Sequence, residues 1–294
     1  MRNILRSAVC LALLFITTLI PVTGLTQSLK KIVLIAGKKT HGPGEHEYVK
    51  TVNLLKVMLD HAPNLKGVKT EIHYDGWPAD PTTLNDANVI LIYADGTDDK
   101  EDHDPLFVGD HWSVIEKQMK RGCGLMVLHY STFAPKRYGS QFMELVGGYF
   151  DYENGKPGVS GRDAWYSDIK TETAMVRPVA THPIAQGLTP FELHEEFYFK
   201  MHFQENDHRL KPVLNVAITG VAKEQTIAWT VERNDGGRGF GFTGGHFYNN
   251  WEISNYRKLI LNAIVWTAGA TVPAGGVESR NYNDEEVASL LSGK

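Results

Sequence analysis

Cysteine is nearly missing from this chain: Cys10 and Cys123 are its two examples in 294 residues. Cys10 lies in the hydrophobic start, so no internal disulfide can brace the remaining residues, and the core must hold the chain together. There is no Gly-x-Ser-x-Gly element, the sharp turn that exposes a serine nucleophile. The glycine and lysine pattern of a phosphate loop is missing too. No Pro/Ser-rich linker, internal repeat or low-complexity segment divides the sequence, which favours one large domain over two small ones. Basic residues form no stripe, which argues against nucleic acid as a partner.

The apolar stretch from Ala8 to Ile20 is too short to span a membrane comfortably. Arg2 and Arg6 precede it and Val22-Thr23-Gly24 offers a small-residue cleavage site, the layout of a secretory signal. Residues 1–24 are therefore expected to be a signal peptide, and 25–294 one domain with a core of about 30–270 and a tail from 271 to 294. Cys10 has no lipobox-like context, so the processed chain is expected in the periplasm or outside the cell with no stable membrane anchor. Taking Arg2 and Arg6 from the 30 basic residues leaves 28 against 34 acidic, a net charge of −6 with His neutral. Cys123, between Gly122 and Gly124, reads as a packed small hydrophobe rather than a nucleophile.

Apolar periodicity gives strands at Lys31 to Ala36, Val68 to Tyr74, Ala87 to Tyr93 and Gly124 to Leu128, with helices at Tyr48 to His61 and His111 to Met119. That alternation predicts an α/β fold with a parallel, doubly wound sheet, whose ligand edge collects the loops after Ala36, Tyr93 and Leu128. Further strands are expected at Thr173 to Val179 and Val213 to Thr219. A hairpin joins Thr226–Glu232 to Arg238–Thr243 across Asn234-Asp235-Gly236-Gly237, residues that tolerate positive φ. Ile253 to Ala268 reads as a closing amphipathic helix, and Asn283 or Asp284 as the N-cap of a short terminal one.

His129 ends the strand Gly124-Leu-Met-Val-Leu128, which places an ionisable ring at the sheet edge where such folds keep ligands; a hydrogen-bonded strand-end residue is the alternative. Four polar clusters are expected near it: His41-Gly-Pro-Gly-Glu45-His46-Glu47, His182-Pro183, His194-Glu195-Glu196 and Gly244-Gly245-His246. Imidazole and carboxylate suit a divalent ion, with His41, His46 and His246 as candidate ligands, although His41-x4-His46 is not a recognised ligand spacing. Glu196 beside Phe197 and Tyr198 is expected to be desolvated, with a raised pKa that suits proton transfer. Glu195 reads as an exposed loop charge within reach of substrate. Trp251 offers a stacking face for a sugar, or an ordinary core residue.

Together with Thr181-His-Pro-Ile-Ala-Gln-Gly187, Glu195-Glu-Phe-Tyr198, Ala228-Trp229, Arg238-Gly-Phe-Gly-Phe-Thr-Gly-Gly-His246 and Asn262-Ala-Ile-Val-Trp266, these motifs resemble the trehalose-utilisation (ThuA-like) family over about Lys30 to Glu278. The resemblance implies a class I glutamine amidotransferase-like fold, a flavodoxin-like three-layer sandwich with a mostly parallel sheet. Amidotransferases of that fold carry a Cys nucleophile at the turn after a central strand. Here that strand ends in His129, so amidotransferase chemistry is not expected. The resemblance also implies sugar metabolism, often beside oxidoreductases that make 3-keto-glycosides.

These features together point to an exported enzyme, a hydrolase, lyase or isomerase, acting on a trehalose-like glycoside or its 3-keto form. His129 or His46 serves as base and Glu196 or His246 as acid, with His41, Tyr130, Glu195, Tyr198 and Trp251 contacting a small-molecule carbohydrate. A divalent metal polarising the keto oxygen is optional. The alternative is a non-catalytic sugar-binding or scaffold module. Export is checked by mass spectrometry of the native protein: a species beginning near residue 25 is expected, and an intact Met1 on a cytosolic species contradicts it.

Overall fold

The computed structural model describes residues 29–98, 100–179 and 181–293; the expected signal peptide, with Cys10, lies outside them. Strands β1 (Lys30–Ala36), β2 (Val68–His73), β3 (Val89–Tyr93) and β4 (Gly124–Leu128) alternate with helices α1 (Tyr48–Asp60) and α2 (His111–Lys120). After α3 (Gly139–Val146) come a short β5 (Gly148–Tyr149), β6 (Asp168–Pro178), β7 (Phe191–Phe199) and a short β8 (His202–Phe203). The chain continues through β9 (Leu210–Val216), β10 (Gln225–Glu232), β11 (Arg238–Phe242), α4 (Ser254–Thr267) and α5 (Asp284–Leu291).

Nine strands form one sheet in the order β2-β1-β3-β4-β11-β10-β9-β6-β7. The first five are parallel in the 2-1-3-4-5 pattern of a flavodoxin-like sheet, with β11 in fifth place. From β11 onward every pairing is antiparallel. The hairpin is where the sequence puts it, with Glu232 opposite Arg238.

Parallel strands covered on both faces must be apolar at every position, and β3 and β4 are buried throughout. Within β1, Ile32 and Leu34 face a core shared with α1 and α4, while Val33 and Ile35 face one shared with α2 and α3. The result is the three-layer sandwich. Cys123 is buried at the start of β4, where lack of solvation pushes its thiol up to about 12, so it is no nucleophile. Asn283 caps α5 in a reciprocal capping box with Glu286.

Two expectations need correction. The segment around Glu195 is a strand rather than a loop: in β7, Phe191, Leu193, Glu195 and Phe197 are buried while Glu192 and His194 are exposed. A carboxylate at an inward position concealed the period of two. Trp251 is core, 4% exposed and edge-on to Tyr256 at 5.0 Å between ring centroids, because the 3-10 turn Tyr248–Glu252 tucks it toward α4.

Helix α4 packs tightly on β4 through Gly124. A Cβ there would lie 2.4 Å from the Thr267 carbonyl oxygen and 2.6 Å from its methyl carbon. Gly124→Ala is therefore expected to cost about 1–3 kcal/mol of stability by overpacking, read as a lower denaturation midpoint at unchanged m-value.

Candidate functional site

The parallel strands β3 and β4 end together, and the loops beyond them hold the polar groups. His129 follows β4 at once, with φ of 50°, and His46 precedes α1 with φ of 46°. The left-handed region costs a non-glycine residue about 1–3 kcal/mol, so both rings are held by their surroundings. His46 donates its backbone N–H to the His246 carbonyl, and His129 Nδ1 bonds the Thr243 carbonyl at 2.7 Å. Gly245, at φ of 137°, lies where a Cβ would come within 3.0 Å of the His129 Cβ, so the loop after β11 presses directly on the end of β4.

Three imidazoles meet there. His46 Nε2 lies 3.1 Å from His129 Nε2 and 2.9 Å from His246 Nδ1, and the last two nitrogens are 3.3 Å apart. Glu196 from β7 brings Oε2 to 3.2 Å from His246 Nδ1 and 3.6 Å from His129 Nε2. Tyr198, stacked on His129 at 4.4 Å, places its hydroxyl 2.9 Å from His129 Nε2. Of the candidate ligands His41, His46 and His246, the last two join this group. His41 lies outside it, its ring 3.6 Å from His46 on the side facing Asp95.

Burial divides these groups by role. His129 is 0% exposed, so it offers no open face to a substrate, which removes it as a direct base. Burial, then the neighbouring imidazoles, hold His129 well below the usual histidine range. Burial outweighs the hydrogen bond to Asp95 and holds His46 below its usual value too. At Glu196, burial opposes ionisation, but the hydrogen bond and charge of His246 win, so its carboxyl is lowered and not raised as expected. His246 is correspondingly raised, Glu196 overcoming burial.

Glu195 is the larger correction: it is fully buried beneath the site and touches no open space. Its two oxygens accept from the backbone N–H groups of Glu196, Gly245 and His246 and from Asn250 Nδ2, at 2.9–3.1 Å. Burial pushes its carboxyl up to about 7 against those donors. Tyr130 donates to Asp98 at 2.5 Å and turns its ring edge-on to His46. Two histidines of the expected clusters stay outside. His182 packs edge-on to Trp266, and His194 bonds Thr173 and stacks on Phe247.

Sequence reasoning missed Tyr48 and Asp95. Tyr48 places its hydroxyl 2.7 Å from His46 Nδ1 and donates to Asp95 at 2.5 Å, which fixes the His46 ring. Asp95 lies just past the end of β3, and that position at the ligand edge was the available signal. It also lines a cavity of about 420 Å³ bordered by Lys38, Thr40, Asp75, Trp77 and His111. Glu195→Gln places an amide NH2 against N–H donors, and is expected to cost about 1–3 kcal/mol in a denaturant titration; an unchanged midpoint contradicts this role.

No curated protein matches the sequence. Among solved structures, a ThuA-like protein from Parabacteroides merdae shares 15% identity and a TM-score of 0.58, over 86% of this chain and 98% of its own. A cytoplasmic protein from Salmonella typhimurium LT2 shares 13% identity and a TM-score of 0.53, over 81% of this chain and 99% of its own. These likenesses concern the fold, which is ThuA-like. The family model described as "ThuA: Trehalose utilisation" matches residues 33–267, nearly the whole described sheet with its site loops, and the chain belongs to that family.

Proposed function

We propose that this protein is an exported enzyme acting on a neutral trehalose-like glycoside in its 3-keto form, by proton removal next to the carbonyl. The observation that carries the reading is the meeting of His46, His129, His246 and Glu196, from four separate segments, at the carboxyl edge of the parallel sheet. The neighbouring cavity of about 420 Å³, with polar walls and Trp77, has room for a sugar ring. The family's trehalose utilisation supports the substrate class.

Roles are assigned by exposure. His41 is the site imidazole open to solvent, 35% exposed with the Asp95 carboxylate 3.9 Å behind Nδ1, and it serves as base in place of the buried His129. It takes the C2 proton. The electron pair left behind is delocalised onto the C3 oxygen, which the His246–Glu196 pair stabilises; its return either breaks the C1–O bond, with the proton held by His41 passing to the leaving glycosidic oxygen, or takes that proton back at carbon. An oxidoreductase that places the carbonyl at C3 must act first.

The test is incubation with trehalose, sucrose and their 3-keto forms. Turnover of a keto form is expected, with His41→Ala losing roughly 100-fold or more in kcat at unchanged Tm, the size of general-base effects. Binding without turnover across the panel overturns the reading and leaves a sugar-binding module.

A further inference from the structure

We infer that His46, His129, His246 and Glu196 form a binding site for one divalent transition-metal ion of the zinc type, held by three imidazoles and one carboxylate. The ion would sit in the same cleft as the proposed reaction, but its binding needs no assumption about the sugar.

Proton positions on the rings leave lone pairs pointing inward. The Thr243 carbonyl accepts only, so the neutral His129 ring carries its hydrogen on Nδ1 and leaves Nε2 as a bare lone pair. Tyr48 gives its hydroxyl proton to Asp95, so its oxygen accepts from His46 Nδ1–H and leaves His46 Nε2 bare as well. His246 aims Nδ1 at the same point, while its Nε2 faces the Glu45 carboxylate 3.8 Å away. Lone pairs and a carboxylate oxygen thus converge on one largely buried point. Tyr198's single hydroxyl proton cannot satisfy them all. A cation can.

The dimensions fit such an ion. For metal–ligand bonds of about 2.0–2.1 Å, the edges of a tetrahedron are about 3.3 Å long. Five of the six spacings among these four atoms run from 2.9 to 3.6 Å and bracket that value, and all four atoms lie within 4.8 Å of one another. Nitrogen-rich ligands select zinc or its first-row neighbours over magnesium and calcium, which take oxygen.

The surrounding contacts hold the rings in place. A ligating histidine ordinarily gives its other N–H to a carbonyl or carboxylate that fixes its orientation. Thr243 does this for His129, and Tyr48 with Asp95 for His46. Glu195 holds the backbone of His246. Glu196, 23% exposed, is the ligand on the solvent side, where a substrate oxygen would enter.

Binding is tested on the full processed chain, stripped with EDTA and reloaded separately with Zn²⁺, Co²⁺ and Mg²⁺. Calorimetry and metal analysis after gel filtration are expected to show one Zn²⁺ or Co²⁺ retained per chain and no Mg²⁺. The Co²⁺ form should show the visible absorption of a tetrahedral nitrogen and oxygen site. His246→Ala and Glu196→Gln should each weaken Zn²⁺ binding by roughly 100-fold or more, exceeding the loss of an outer partner. His194→Ala should leave it unchanged. Circular dichroism and Tm of the stripped variants separate lost ligands from lost folding. No stoichiometric Zn²⁺ in the wild type, or equal affinity in a folded His246→Ala, overturns the inference. A chain that holds the ion but converts no sugar upholds it and defeats the proposed function; a chain that turns over sugar yet retains no stoichiometric Zn²⁺ after reloading does the reverse.

Discussion

The Glu195 carboxylate is the fastening on which the site depends. It sits on β7, the last strand in sheet order, yet it grips the backbone of Gly245 and His246 in the loop after β11, well inside the sheet. A buried carboxylate without donors would be strongly unfavourable, and four N–H groups resolve that by turning its negative charge into a clamp. The one contact has two effects: His246 is aimed at His46 and His129, and the next residue along β7, Glu196, faces the same point.

The parallel half of the sheet provides the other constraint. Its central strands are apolar to their ends, so the first polar residues beyond them gather along one line. His129 takes the sharp turn after β4 with a left-handed backbone. A fully buried imidazole stands there, and Cys123 is buried at the far end of the same strand.

Exposure divides the groups of the site. His129, Tyr198 and Glu195 are shut away and fix geometry, whereas His41, Glu196 and His246 retain access to solvent. The depressed affinity of His46 and His129 for protons comes mainly from burial.

The strands from Lys30 to Leu128, the hairpin at Asn234–Gly237 and the capped terminal helix were legible because each is a local pattern: apolar period, turn residues or cap. So were His129, His46 and His246, each beside a strand end or a glycine-rich loop. Glu195 was misread because local polarity says nothing about which face of a strand is inward, and Trp251 was left open between stacking face and core because an aromatic residue near a site has no local mark that distinguishes the two. Tyr48 and Asp95 passed unnoticed because their value is relational, arising from contacts with a ring that the chain brings near only on folding. The sequence by itself determined the elements, the sheet edge and most of the residue types gathered there. The tertiary structure alone decided which nitrogens face one another, which carboxylate is the clamp and which faces the imidazoles, since those depend on distances of about 3 Å between residues up to 200 positions apart.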